Sequence, residues 1–362
     1  MKILFICGSL EPGRDGVGDY TRRLAGEIIR QGHDASIIAL NDRFVDAIIR
    51  TEQLSEKTNI SVLRLPSILP KKEKYKTAGK FIQDFNPEWL SLQFVPYSFQ
   101  KRGLPFGLGK NLGEISSGRK WHIMFHELGG WAYKDIFMKL KWTSILQRFI
   151  INRLLKTIHP KVVHTNITWR VSRLEAFNIH AKLLPLFGNI PVQFEKSCSG
   201  SSNIIFIIFG SIHSGADTTR FAKWLSHLQQ TENKKVIVHF VGKNGNELTV
   251  WEESLKNQDI EYQVYGEQDE SIISKLMSQS DIGIVTTPYF LIEKSGSRAA
   301  MQEHRLPVIC VAKEWKPAGI TFTHDIPAWQ PGLQLNNILE QKTEAHSLQK
   351  ITKCFIHSLL NR

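Results

Sequence analysis

Residues Met1–Ala25 read MKILFICGSLEPGRDGVGDYTRRLA: an apolar run, then Gly13, Gly16 and Gly18 set among Asp15, Asp19 and Thr21, then the start of a helical pattern. Lys2–Cys7 has the composition of a buried parallel strand. Asp19–Gln31 carries helical periodicity and stops at Gly32, a C-terminal signal. A strand, a glycine turn and a helix open a doubly wound α/β domain, whose ligands lie beyond the carboxyl ends of the strands. A dinucleotide fingerprint needs G-x-G-x-x-G directly after the strand. Here Gly8 is followed by Ser9-Leu10-Glu11-Pro12, so that fingerprint fails, and Asp42 is the one candidate ribose acid. The longer loop Gly16-Val17-Gly18-Asp19 suits close backbone approach to a ligand, with N–H groups of a helix start available to oxygen atoms. The alternative is a plain turn with Asp19 as N-cap.

The same alternation runs along the chain. Strand patterns fall at Lys2–Cys7, Ala35–Leu40, Ser61–Leu65, Trp89–Phe94, His122–Phe125, Val162–Thr165 and Lys182–Leu184. After the Ser/Gly-rich stretch 197–202, which reads as a linker, it restarts at Ile204–Phe209, Lys235–Val241, Glu261–Val264, Ile282–Val285 and Pro307–Cys310. Helical patterns include Asp135–Thr157, Asp217–Gln230, Ser271–Gln279 and Ser297–His304. The expectation is two Rossmann-like domains, Met1–Ile190 and Pro191–Asn336, followed by a helical tail, 337–362, packing back on the first.

GVGDYTRRLAGEIIRQGHDASIIA (residues 16–39) and YFLIEKSGSRAAMQEHRLPVIC (residues 289–310) resemble the glycine loop and the donor segment of GT-B glycosyltransferases, the retaining family 4 group above all. The resemblance covers the organisation of the whole chain and is closest in these two segments. It implies two Rossmann-like domains facing across a cleft, with acceptor on the first and nucleotide-sugar on the second. It implies retaining, metal-independent transfer of a hexosyl group to a saccharide or lipid-linked acceptor, with no cofactor beyond the donor.

Read as residues, Lys294-Ser295-Gly296-Ser297 combines a cation, two hydroxyls and a bare backbone at a helix start, which suits a diphosphate. Ordinary capping by Ser295 or Ser297 is the other reading. Gly210-Ser211, after the first strand of the second half, is the turn where the family often carries Arg and Lys. Here His213 is its one ionisable residue, and Lys243 is a substitute cation or a solvated one. Tyr265-Gly266, with Glu293, is the expected base and ribose region. By the same resemblance His126 contacts the donor sugar, with Glu127 beside it and Gln93 at a neighbouring strand end. The other reading of His126 is structural. The chain departs from the family at its usual glutamate pair, whose places fall on Ile292 and Ala300. A non-hydrolysing nucleotide-sugar epimerase and an inert GT-B scaffold therefore stay open.

The chain's net charge is +12. Residues 1–190 hold 29 Lys and Arg against 16 Asp and Glu, so the excess belongs to the first half. Lys71-Lys72-Glu73-Lys74-Tyr75-Lys76 and Lys101-Arg102 read as exposed basic clusters. Lys134–Lys156 mixes six basic residues and one acid with Trp, Phe, Leu and Ile. It fits an interfacial helix on anionic lipid or a core-facing helix with a solvated basic edge. No recognised nucleic-acid module is present. Cys7, Cys198, Cys310 and Cys354 fit no metal or disulfide framework and read as buried thiols in a cytoplasmic protein, peripheral on the inner membrane face if the lipid reading holds.

Overall fold

The computed structural model of the protein describes residues 1–129, 138–196, 203–313, 324, 326–341 and 347–361. The linker reading at 197–202 and the start of the basic segment, 134–137, lie outside the described residues. The chain forms two compact units, one with Met1–Pro185 and Leu348–Arg362, the other with Leu186–Lys316 and Thr321–Ser347.

The first unit is an eight-stranded sheet: β1 Lys2–Cys7, β2 Asp34–Asp42, β3 Ile49–Ser55, β4 Thr58–Pro66, β5 Trp89–Phe94, β6 Lys120–Phe125, β7 Val162–Thr165 and β8 Lys182–Leu183, in the order β3-β4-β2-β1-β5-β6-β7-β8. All pairs are parallel except β3 with β4. The second unit has β9 Asn203–Phe209, β10 Lys235–Val241, β11 Glu261–Gly266, β12 Ile282–Val285 and β13 Val308–Cys310, ordered β11-β10-β9-β12-β13 and wholly parallel. Strand order reverses between β1 and β5 and again between β9 and β12. Such switch points open crevices at the strands' carboxyl ends.

Both faces of the second sheet are covered, and β9 shows how. Its Ile204, Phe206 and Ile208 join Phe221, Val238 and Trp251 in one apolar layer. Its Ile207 joins Val241, Met277, Val285 and Met301 in the other. Neighbouring residues of a strand point to opposite faces, so an unbroken apolar run is what a sheet buried on both sides demands. In the first unit the helix Leu348–Leu360 sets Phe355 against Phe5, with ring centroids 6.0 Å apart, and edge-on to His122 at 5.0 Å.

Three sequence expectations change. β3 (IRTEQLS) is a polar edge strand whose side chains are mostly solvated, so no apolar alternation marks it. It joins β4 through Glu56 and Lys57, both at positive φ, 46° and 69°, the backbone of a tight hairpin turn. Lys74 is buried rather than exposed: it sits in the first turns of the helix Lys71–Phe85 and its ammonium reaches Asn41 Oδ1 at 3.2 Å and the Ser67 carbonyl at 3.3 Å. Cys7 and Cys310 are buried as expected, but Cys354 is exposed because it falls on the solvent side of its helix.

Asp42 is not at a ligand's disposal. Its fully buried carboxylate accepts from Ser9 Oγ (3.1 Å), Leu10 N–H (3.1 Å), Phe44 N–H (3.0 Å) and Arg64 Nε (2.8 Å). Burial opposes its ionisation, yet the Arg64 guanidinium and the backbone donors outweigh that and hold the group below its ordinary range. This carboxylate ties the loop after β1 to β2 and β4. Removing Arg64 would leave a buried charge without its counter-ion. Arg64→Leu should therefore cost about 3 kcal/mol, measured by urea unfolding; a cost below about 1 kcal/mol would mean that water already shields the pair.

Candidate functional site

In the first unit the glycine loop folds onto the carboxyl end of β1. The helix Gly16–Arg30 is capped by Asp15, whose Oδ1 accepts from Val17 N–H at 3.0 Å and Gly18 N–H at 2.9 Å. The N-cap is thus Asp15, not Asp19, because its carboxylate reaches those two donors, and the N–H groups expected to face a ligand are engaged by it. Asp19 lies in the first turn, accepts from Gly13 N–H at 3.1 Å and pairs with Arg22. Burial raises its pKa against the pull of Arg22. A Cβ on Gly18 would stand 2.7 Å from the Ser9 carbonyl, so a glycine is what lets the helix lie on the β1 turn. Gly16 is exposed, with nothing within 4 Å of a Cβ built on it.

Across β5, β6 and β7 runs a buried polar chain that starts at His126, just past the end of β6. His126 Nε2 meets Gln93 Oε1 at 2.9 Å, Gln93 Nε2 donates to Ser91 Oγ at 2.8 Å, Ser91 Oγ meets His122 Nδ1 at 2.8 Å, and His122 Nε2 meets His164 Nδ1 at 3.0 Å. Two proton arrangements satisfy every link, and one of them also uses the serine proton within the chain. In that one His126 donates to the amide oxygen, the amide donates to the serine, the serine donates to His122, and His122 donates to His164. Each imidazole is then neutral with its proton on Nε2. Electrostatics agree: burial, then the Arg170 guanidinium, pushes His126 down to about 3. Burial, then Lys182, pushes His164 down to about 4, and burial with its histidine neighbours holds His122 well below its ordinary value. Arg170 donates to the His126 carbonyl and, at 3.2 Å, to Asn166 Oδ1. The His126 ring stands edge-on to Tyr20, centroids 4.9 Å apart. Glu127 is half-buried next to it. Ser91, His122, His164 and Arg170 were not legible as one group in the sequence. They sit on β5, β6, β7 and the helix Thr168–Glu175, and only strand order makes them neighbours.

In the second unit three adjacent strands end in glycines with positive φ: Gly210 after β9 (84°), Gly242 after β10 (89°) and Gly266 closing β11 (65°). Gly242 N–H donates to the Gly266 carbonyl and Gly210 N–H to the Val241 carbonyl at 2.6 and 2.9 Å. A Cβ on Gly210 would lie 2.8 Å from Ser297 Oγ, which brings the β9 turn against the first turn of the helix Gly296–Glu303. Asn244 Nδ2 donates to the Gly210 carbonyl at 2.8 Å, and the His213 N–H to Thr286 Oγ1 at 2.9 Å. So Gly210, Ser211, Ser297, Thr286 and Asn244 gather at the β9–β12 switch point. Burial, then the Lys294 ammonium, lowers the His213 pKa, and Lys294 itself stands one residue before Ser295, the cap of that helix. Thr286, Thr287 and Asn244 went unnoticed in the sequence; two hydroxyls directly after the apolar run of β12 were the available signal.

Ser295 caps its helix: its Oγ accepts from Arg298 N–H at 3.3 Å and from Thr287 Oγ1 at 3.2 Å. Gly296 keeps the helix start bare. Lys243 is exposed past the end of β10. Tyr265 packs edge-on against His239, centroids 5.2 Å apart, and its hydroxyl donates to Gln263 Oε1 at 2.9 Å. Glu293 is half-buried in the short 3-10 helix Tyr289–Lys294. Ile292 and Ala300, the places of the family's glutamates, are both buried in the apolar layer. Among the described residues no group of three or more His, Cys, Asp or Glu is arranged to hold a metal ion.

No protein-family model and no curated protein matches the sequence. Solved structures do match in fold. The chain is similar to Anabaena Alr3699/HepE, solved with UDP and glucose, at 14% identity and a TM-score of 0.57, covering 100% of both chains. It is similar to WaaG, a glycosyltransferase of lipopolysaccharide biosynthesis, at 11% identity and a TM-score of 0.53 over 99% of this chain and 95% of that one. It is also similar to a putative UDP-N-acetylglucosamine 2-epimerase from Listeria monocytogenes, at 9% identity and a TM-score of 0.51 over 99% and 88%. The α/β architecture is that of GT-B proteins.

Two measurements check the site geometry. Side-chain nitrogen NMR near neutral pH should show His122, His126 and His164 as neutral Nε2–H tautomers. Because their folded pKa values lie below the unfolded one, the unfolded state takes up more protons between about pH 4 and 6.5. Stability should fall as pH drops through that window, and a charged imidazolium in the chain at pH 6 would contradict the arrangement. Gly210→Ala meets both the left-handed backbone and Ser297, so it should cost at least about 1 kcal/mol in thermal unfolding, whereas Gly245→Ala, with open space around it but the same sign of φ, should cost the backbone part alone.

Proposed function

We propose that the protein is a glycosyltransferase that moves a hexosyl group from a nucleotide-sugar donor to a saccharide or lipid-linked acceptor, with retention at the anomeric carbon. The observation that carries this reading is the meeting of the Gly210-Ser211 turn with Ser297 in the first turn of the helix Gly296–Glu303, with Lys294 just before the helix cap. A helix start, a backbone with no Cβ and a cation are what a diphosphate requires. Of the fold neighbours, WaaG is a glycosyltransferase by name and HepE was solved with UDP and glucose, which supports the reading.

On this reading the second unit holds the donor. Helix N–H groups and Lys294 face the diphosphate, and they stabilise the charge that grows on it as the glycosidic bond breaks. Lys243 adds a cation at the neighbouring strand end, and Tyr265, Gly266 and Glu293 meet the base and ribose. These charges supply what a metal ion would, so the reaction needs no metal and no cofactor. In the first unit the resemblance gives the loop of Gly16, Val17, Gly18 and Asp19 a ligand-facing role, and makes His126, with Glu127 and Gln93, that unit's sugar-contacting group. With its Nε2 proton given to Gln93, a neutral His126 has Nδ1 left to accept one hydrogen bond from a hydroxyl without adding charge. The departing diphosphate takes the acceptor's proton.

The second reading, a nucleotide-sugar epimerase, draws on the likeness to the Listeria protein. A panel of UDP-, GDP- and ADP-sugars separates the two. Released nucleoside diphosphate or a glycosylated acceptor supports transfer; an isomerised donor with no release supports the epimerase. Absence of any thermal shift with every nucleotide would leave an inert scaffold, for which the apolar Ile292 and Ala300 speak. Within the transferase reading, Lys294→Ala should weaken nucleoside diphosphate binding at least about tenfold, the order of one charge-assisted hydrogen bond. Calorimetry giving equal affinities for variant and parent would remove Lys294 from the site.

A further inference from the structure

The helix Met138–Ile158 has two faces with different fates. Ser144, Gln147, Ile150, Ile151, Leu154 and Ile158 are buried. Leu154 lies against the helix Leu108–Ser116, where its Cα is 2.8 Å from the point a Cβ on Gly109 would occupy. On the other face Trp142, Ile145, Leu146 and Phe149 follow the spacing of one helical stripe. They are 75, 58, 39 and 54% exposed. A core-facing helix with a solvated edge carries polar residues there; this edge carries a tryptophan, two aliphatics and a phenylalanine.

Cations lie on the same helix and on the loop packed against it. Arg148, Arg153 and Lys156 are exposed on the same helix. The loop bearing exposed Lys101, Arg102 and Phe106 is fastened to it, since Gln147 Nε2 donates to the Gly103 carbonyl at 3.2 Å. Lys71 continues the patch, its Nζ 3.1 Å from where a Cβ on Gly107 would stand. Among the described residues Lys71, Lys101 and Arg102 form no ion pair, while Lys110 nearby is held by Glu114 at 3.9 Å.

We propose that this face docks on a membrane surface containing anionic lipids, the stripe lying among the acyl chains and the cations among the phosphates. Both parts of the patch are used only by that occupant. Apolar side chains of this size sink below the headgroups, and each Lys or Arg near an anionic surface strengthens binding. A nucleic acid would take the cations and leave four large apolar side chains in water. A second copy would bury the stripes but bring like charges together around them. No helix among the described residues is long and apolar enough to cross a membrane, so the contact is with the surface. The inference stands on this face alone and does not rest on the transferase reading.

Co-sedimentation of the full chain with vesicles tests it without any sugar donor. Vesicles of phosphatidylcholine with about 30 mol% phosphatidylglycerol should bind the protein, and vesicles of phosphatidylcholine alone should bind it far less. Lys101→Glu with Arg102→Glu should lower that binding roughly tenfold or more. Trp142→Ser with Phe149→Ser should lower it by a similar factor, with the thermal midpoint kept because all four side chains are exposed. The proposal is overturned by failure to bind the anionic vesicles or by binding that neither pair of substitutions alters. It is equally overturned by a dimer in light scattering that the Trp142/Phe149 variant dissociates, or by duplex DNA competing away vesicle binding through the cations while the stripe variant binds as the parent does.

Discussion

Close backbone approach at the carboxyl ends of the parallel strands is the constraint from which the rest of this structure follows. At β1, the helix Gly16–Arg30 reaches the Ser9 carbonyl because residue 18 has no Cβ. At β9, the turn through Gly210 meets Ser297 for the same reason, in a backbone conformation that a side chain would strain. Parallel strands deliver every strand-to-helix loop to one end of the sheet, and that end stays uncrowded only where side chains are left out. The Asp42 carboxylate completes the arrangement in the first unit. It takes donors from the β1 turn, from the chain just after β2 and from β4, so loop geometry and sheet geometry are set by one group.

The two units meet this constraint with different chemistry. In the second, the strand ends are glycines, hydroxyls and a lysine, a surface suited to oxyanions. In the first, a continuous hydrogen-bonded line of three imidazoles, an amide and a serine runs from His126, past the end of β6, back through β5, β6 and β7. Burial makes charging those imidazoles costly, and the line gives each a fixed neutral tautomer. A group so held can present a donor or acceptor of known direction without contributing charge. The first unit's positive charge lies elsewhere, on its exterior, where the helix Met138–Ile158 and the loop around Lys101 place it beside exposed apolar side chains.

The glycine loop is where sequence reasoning and structure part most usefully. Its composition suggests a cradle of N–H groups, and the acids are easily taken as additional ligands. In the folded chain Asp15 takes the Val17 and Gly18 donors and Asp19 takes that of Gly13. An acid three residues before a helical N–H satisfies it locally, and pattern alone does not say whether a carboxylate turns back on its own backbone or outward.

The doubly wound class, nearly all the strands and the restart of the pattern in the second half were determined by the sequence itself. Apolar runs of strand length between amphipathic segments have few ways to be buried, and parallel sheets covered on both faces are the main one. The glycines after β1 and β9 and the Lys294–Ser297 segment were legible for the same reason, since each is a local backbone requirement. Tertiary structure alone decided the edge strand Ile49–Ser55, which has no apolar face to announce it, and the burial of Lys74. It alone joined Gln93 and His126 to Ser91, His122 and His164, residues separated by up to 73 positions that become neighbours through the order β5-β6-β7. Periodicity records which side of an element meets the core; which elements then lie side by side is set by packing across the whole sheet, and a one-dimensional pattern does not carry that.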